Sequence, residues 1–295
     1  GQLGTDGGAD RDVPKLIPSF DRFTSIATGE SHSCATFLES AGIYVRCWGF
    51  NGFGQLGNNT TNDNPNPGWV GFSPPWLAAS VVRAGGSHSC AVISDGTVKC
   101  WGQNGSGQLG DLTTIERLTP VNVLADAGGC CGGTAMLNAI DLAAGSNFNC
   151  ALTADGGNLW CWGNNTEGQL GNGASPPRSS RYWPQQVPEI AGAISVSAGQ
   201  RHACAVLSSG TVQCWGYNYF GQIGDGTTSD RSSPVTVTVD GGALFGVAGI
   251  ACGENHTCVV HVDGTLRCWG DNTVGQLGDG TNAGRTSPTL TVAVP

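Results

Sequence analysis

Methionine is nearly missing from this chain, with one among 295 residues. Lysine is almost as scarce: Lys15 and Lys99 are the only two. Charged residues make up 12% of the sequence, about half the usual share, and the formal net charge is −9. A polyanion is held by clustered Lys and Arg. No such cluster occurs, so nucleic acid is not an expected partner. No apolar run is long enough to cross a bilayer as a helix, so membrane insertion is not expected, and no signal peptide is visible. Amphipathic runs of helical period are also lacking, and no helix is expected. Nucleophile elbows, zincin motifs and phosphate loops are absent too. The reading is a non-enzyme with no catalytic residues, no metal and no cofactor.

What the chain has in excess is glycine, cysteine and repetition. Glycine supplies 48 residues, far above the usual ~7%. With β-branched residues between the glycines, this predicts short strands joined by tight turns. Thirteen Cys point to an oxidising compartment, hence an extracellular or cell-surface location. The tetrapeptide GQLG opens the chain at residues 1–4 and returns at 54–57, 107–110, 168–171 and 275–278, with GQIG at 221–224. Cutting at each copy gives units of 53, 53, 61, 53 and 54 residues and a remnant, 275–295. Periods of this order signal solenoids, propellers or arrays, and there is room in each for about four short strands.

The stretches "VVRAGGSHSCAVISDGTVKCWGQNGSGQLG" and "ISVSAGQRHACAVLSSGTVQCWGYNYFGQIG" show the pattern. The first strand ends in small residues before the His, the second is the HxCAV run, and the third ends in CWG. The fourth follows GQLG and a variable loop, near a Pro that suits an outer edge. The expected fold is all-β: a β-propeller of four-stranded antiparallel blades in one domain, 1–295. It has five complete repeats within 21–274 and a partial repeat duplicated at the ends, 1–20 and 275–295. That implies five or six blades, or part of a larger array. The segment 1–20 has no preceding three strands, so it reads as the remainder of an upstream blade or as an additional outer strand.

The cysteines test the strand assignment. In Cys90–Cys100 the midpoint is Asp95, in the turn Ser94-Asp95-Gly96. A three-residue hairpin loop with glycine in the left-handed position pairs 93 with 97 and sets Cys90 opposite Cys100. In the non-hydrogen-bonded register the Cβ atoms approach to about 4.5 Å, near disulfide range. The same spacing holds for Cys204–Cys214 and Cys258–Cys268. Cys150–Cys161 and Cys34–Cys47 have longer loops but the same motif positions. Five hairpins thus carry five expected disulfides, each worth ~2–3 kcal/mol. Metal binding needs three or four converging ligands, whereas each blade offers one pair. Cys130, Cys131 and Cys252 remain unassigned.

The stretches "AGGSHSCAV", "DGTVKCWGQN" and "GSGQLG" resemble the repeats of the regulator of chromosome condensation family, in all five units. The form HxCA…CWG is more similar to secreted bacterial members than to nuclear ones. The resemblance implies a β-propeller, commonly of seven four-stranded blades. It implies no single function, because the family includes a GTPase exchange factor, an ultraviolet photoreceptor, ligase-associated propellers and a β-lactamase inhibitor. Exchange activity does not fit the disulfides and acidity, and the photoreceptor's GWRHT motif is missing.

His32, His88, His202 and His256 recur in the GxxH position, with Phe148 in the remaining slot. Spread over separate blades, they read as packed histidines bonded nearby, while His261, outside the motif, is expected to face solvent. Trp48, Trp101, Trp162, Trp215 and Trp269 of CWG are expected to fill the space between blades. Asp225 and Asp279 lie in "GDGT" stretches that lack the spacing of a calcium loop and read as turns. The nonrepetitive residues Trp69, Phe72 and Trp76, and Arg178, Arg181, Tyr182 and Trp183, are candidate binding loops, since aromatics and Arg suit protein contacts or sugar stacking. The alternative is that they cover their own blade. Sequons at Asn58, Asn59, Asn104, Asn164 and Asn255 permit N-glycans. The expected role is a non-catalytic extracellular structural or adhesive propeller that assembles with protein subunits, its own copies included. The alternatives are a propeller that binds surface glycans, or a protein inhibitor acting through one propeller face.

Overall fold

A computed structural model describes residues 1–4, 17, 22–39, 42–72, 78–125, 134–135, 138–174 and 179–291. Trp76, Cys130, Cys131 and Arg178 lie outside them. The described residues contain strands and turns and no helix. Five four-stranded antiparallel sheets follow one another along the chain, each with its strands in sequence order. Sheet 1 comprises Phe23–Thr28, His32–Glu39, Gly42–Gly49 and Asn64–Trp69. Sheet 2 comprises Ala79–Ala84, His88–Ile93, Val98–Gly102 and Arg117–Asn122. Sheet 3 comprises Ala139–Ala144, Phe148–Thr153, Leu159–Gly163 and Arg181–Gln186. Sheet 4 comprises Ala193–Ala198, His202–Leu207, Val212–Gly216 and Arg231–Thr236. Sheet 5 comprises Val247–Cys252, His256–His261, Leu266–Gly270 and Arg285–Leu290. Two ladders of two-residue strands, Leu124–Ala125 with Thr134–Ala135 and Thr238–Val239 with Gly242–Ala243, complete the inventory.

The central hairpin of each sheet forms as its turn chemistry dictates. In sheet 2 the Ile93 amide donates to the Thr97 carbonyl at 2.8 Å, and Gly96 supplies the positive φ of +82°. The Asp95 carboxylate accepts from the Thr97 amide at 2.9 Å and hydroxyl at 2.7 Å, which closes the turn. Counting back, Cys90 pairs with Cys100. All five expected pairs are bonded with Cα–Cα separations of 4.1 Å: Cys34–Cys47, Cys90–Cys100, Cys150–Cys161, Cys204–Cys214 and Cys258–Cys268.

Close contacts group the chain into two compact units, 1–147 with 181–184, and 148–180 with 185–295. Within the first, the apolar core lies between sheets 1 and 2, where Cys34, Val45 and Cys47 meet Val82, Ala91 and Trp101. Within the second, Cys204, Val206 and Val212 of sheet 4 meet Val247, Val259 and Trp269 of sheet 5 in the same way. Alternation along a strand therefore turns the disulfide face of sheet 1 toward the Trp face of sheet 2, and that of sheet 4 toward the Trp face of sheet 5.

Candidate interaction surfaces

Consecutive sheets are joined by a repeated polar device. Between the third and fourth strands of sheet 1, the glycines of Gly54-Gln55-Leu56-Gly57 adopt φ of +79° and +67°, and this turn lies against Trp101 of sheet 2. A Cβ on Gly57 would stand 2.8 Å from the Trp101 ring, so glycine is required twice over. The Gln55 carbonyl accepts from Trp101 Nε1 at 2.8 Å and from Ser89 Oγ at 2.9 Å. Because Ser89 spends its proton there, it accepts from His32 Nε2 of sheet 1, 2.8 Å away. Sheets 4 and 5 repeat the arrangement: Trp269 Nε1 and Thr257 Oγ1 donate to the Gln222 carbonyl, at 2.9 and 3.0 Å, and His202 Nε2 lies 2.9 Å from Thr257 Oγ1. Burial, then the neighbouring His88, lowers His32 to about 3; burial, then His256, does the same to His202. These histidines are neutral hydrogen-bond donors and not acid–base groups at physiological pH.

A second repeated node fixes the loop after CWG. Asn104 is fully buried; its Oδ1 accepts from the Leu109 amide, and its Nδ2 lies within bonding distance of Asp111 Oδ1 and of the Thr113 and Ile115 carbonyls. Asp111 also accepts from Arg117 Nε at 2.7 Å. Asp225 and Asp279 are occupied alike by Thr227 with Arg231 and by Thr281 with Arg285. The "GDGT" stretches are thus turns closed by their own side chains. Of the sequon asparagines, Asn104 has its Nδ2 buried among these acceptors. Asn58, Asn59, Asn164 and Asn255 are part-buried or exposed.

The aromatic candidates are also relocated. Trp69 ends the fourth strand of sheet 1, and Arg181, Tyr182 and Trp183 begin that of sheet 3, so they sit on outer strands and not on loops. Trp69, 49% exposed, is packed by its own sheet: Arg46 Cζ lies 4.1 Å from its ring centroid, Tyr44 meets it edge-on at 5.5 Å, and Phe37 lies at 5.6 Å. Phe72 is buried and packs edge-on against Trp101 at 5.7 Å, so it belongs to the core. Tyr44, Val45, Trp69, Val70 and Phe72 nonetheless line an open cleft of ≈ 250 Å³. Tyr182 is exposed at the edge, lying against Gly107, while Trp183 is part-buried. A second aromatic surface was not expected. Tyr217 stacks on Tyr219, Phe220 meets both edge-on, and Arg201 lies over Tyr217 while pairing with Glu167 at 3.8 Å. Its signal was the "YNYF" after one CWG, three aromatics where the other repeats have at most two.

Two further residues stand apart from the repeat. His261 is part-buried with an enclosed Nε2 that lacks a partner, not solvent-facing. Cys252 is free; the residue is only partly buried, but the thiol itself is enclosed, and burial pushes it up to about 12. His202 and Cys204 lie near it, yet the Cys204 sulfur is already bonded to Cys214, so the trio offers one thiol and no thiolate pair for a metal.

The end sheets keep exposed what the inner sheets bury. On the disulfide face of sheet 5, Val260 is 40% and Leu266 41% exposed, although their counterparts Val92, Val98, Val206 and Val212 are at most 1%. On the Trp face of sheet 1, Ile26 is 64% exposed, whereas its counterpart Val82 is fully buried.

The model of the RCC1-like domain matches residues 1–295. The chain is 32% identical to the ultraviolet-B receptor UVR8 of Arabidopsis thaliana over 98% of its own length and 62% of the receptor's, so it spans about three-fifths of that relative. It is 33% identical to the probable E3 ubiquitin-protein ligase HERC6 of Homo sapiens over 85% of this chain and 24% of that one. Among solved structures, human WBSCR16 superposes with a TM-score of 0.76 at 22% identity, covering 92% of this chain and 67% of that one. Prp20p of Saccharomyces cerevisiae, described with its binding to Gsp1p and histones, gives 0.74 at 23% identity, covering 96% and 69%. These two show the fold, a β-propeller built of four-stranded antiparallel blades.

Proposed function

Since the chain belongs to the RCC1-like domain family, we propose that it is a non-catalytic, extracellular β-propeller that binds protein subunits, its own copies foremost, and that residues 1–295 fold as one domain. The exposed disulfide face of sheet 5 carries this reading. Leaving Val260 and Leu266 in water forgoes burial that every inner sheet achieves, at about 25 cal/mol per Å² of apolar surface. Another protein surface is the natural way to recover it. Five disulfides support an oxidising location. Protein partners also fit the binding described for Prp20p. Size-exclusion chromatography with light scattering tests the assembly: masses should rise with concentration above the 30.1 kDa of one chain. A constant 30.1 kDa would refute self-association.

A second reading, glycan binding, is favoured by the cleft beside Trp69, where a half-exposed indole backed by Arg46 is held as a stacking platform. Binding on a glycan array that Trp69→Ala abolishes would establish it; an array blank for the wild type would remove it.

A further inference from the structure

The first strands of sheets 2, 3 and 4 end in Ala84, Ala144 and Ala198, whereas that of sheet 5 ends in Cys252. Register fixes where this thiol points. Cys252 pairs with Thr257, and Thr257 pairs with Trp269, so the three share the Trp face of sheet 5. That face packs on the disulfide face of sheet 4, and Cys252 joins the apolar core between them. The other sheets fill the position with a methyl group. Here a nucleophile stands beside a disulfide instead. Cys252 Sγ, Cys204 Sγ and a ring nitrogen of His202 lie within 4.8 Å of one another, and Cys204 is bonded to Cys214. Among the described residues, Cys252 is the one free thiol.

The surroundings hold this nucleophile back. Burial pushes the thiol up to about 12, so little thiolate forms near neutral pH. His202 does not take its proton: its Nε2 is engaged by Thr257 Oγ1 at 2.9 Å, and burial, then His256, lowers it to about 3. Thr257 Oγ1 stands 4.0 Å from Cys252 Sγ, but its proton goes to the Gln222 carbonyl. A thiolate therefore gains no donor from Thr257.

We propose that Cys252 is the internal exchange partner of the Cys204–Cys214 disulfide. The Cys252 thiolate attacks Cys204 Sγ, the sulfur within its reach. A Cys204–Cys252 bond forms as the Cys204–Cys214 bond breaks. The electron pair leaves on Cys214 Sγ, which takes up the proton that Cys252 gave. One disulfide and one thiol are present before and after, so the step uses no oxidant and no reductant. The staple moves from within the central hairpin of sheet 4 to the joint between sheets 4 and 5. It then closes a much longer loop than the ten-residue separation of Cys204 and Cys214, which constrains the unfolded chain more. The closed joint keeps the original pairing, and loosening of the joint releases the exchange.

Disulfide mapping by mass spectrometry of the unreduced 295-residue protein tests this. The protein is held at pH 8, with no urea or with urea below its unfolding midpoint, then quenched with acid and alkylated. Exposure that returns the thiol from about 12 to the ordinary value of about 8.5 should speed exchange by at least ~10-fold, because the gain in thiolate outweighs the loss in nucleophilicity. The linked Cys204–Cys252 peptides and alkylated Cys214 should rise together. In Cys252→Ala, which carries the residue found there in sheets 2, 3 and 4, Cys214 should stay unalkylated. Cys214→Ser tests the geometry alone. It leaves Cys204 and Cys252 as neighbouring thiols, and oxidised glutathione should join them while two glutathione thiols are released. Far-ultraviolet circular dichroism first verifies that each variant is folded. Alkylation at Cys252 and not at Cys214, with Cys204–Cys214 intact in urea, would overturn the inference. Bonds from Cys252 to other cysteines as often as to Cys204 would also overturn it, as would failure of Cys204 and Cys252 to join in Cys214→Ser. None of these outcomes depends on whether the chain self-associates.

Discussion

Gly57 and Gly278 share a tetrapeptide and a left-handed backbone, with φ of +67° and +62°, yet only the first lies against a tryptophan. Gly57→Ala adds a Cβ 2.8 Å from Trp101 to the backbone penalty and should cost several kcal/mol in a thermal or denaturant melt. Gly278→Ala meets open space in the monomer and should cost only about 1 kcal/mol. Equal losses would contradict this packing. Two other residue-scale effects follow from burial. His32 and His202 stay neutral down to about pH 3, whereas in the unfolded chain they protonate near 6.5. The unfolded state therefore binds more protons between these values, and stability must fall as pH drops below 6.5, by up to ~1.4 kcal/mol per unit for each His. Urea midpoints measured from pH 7 to pH 4 should decline, and less so in His32→Gln. The Cys252 thiol, pushed up to about 12, should resist iodoacetamide at pH 8 in the native protein and react once it is unfolded. Ready modification of the native thiol would contradict its enclosure.

Hairpins are where the sequence was most readable. A glycine at a fixed place in a three-residue turn sets the register, and the register sets which cysteines face each other, so Cys90–Cys100 and its counterparts could be derived from spacing alone. Replacing both Cys90 and Cys100 with Ser should cost ~2–3 kcal/mol and leave the sheet intact, as measured by denaturation and far-ultraviolet circular dichroism. Outer strands were less readable. Trp69 follows Pro65 and Pro67, and those prolines suggested a loop, yet they are tolerated in the fourth strand because its outer edge has no partner to supply. Distant pairings such as His32 with Ser89 or Arg46 with Trp69 leave no local pattern at all. The Asn two residues after each CWG recurs in every repeat. Its five-residue offset to Leu109 is regular enough that an Asx-type turn was a readable signal.

At the scale of the whole molecule, repetition foretold the propeller but not the state of its end sheets. A repeat pattern shows that each sheet needs neighbours on two faces. The structure adds that Val260 and Leu266 stay exposed and that the Gln2 carbonyl accepts from Trp48. Assembly through the exposed face of sheet 5 should therefore be both concentration-dependent and local. Amide hydrogen exchange by mass spectrometry, run on the 295-residue protein at low and high concentration, tests this most directly. Added protection at high concentration should fall on peptides from 256–278, which carry Val260 and Leu266. Protection that rises elsewhere, or nowhere, would contradict the account.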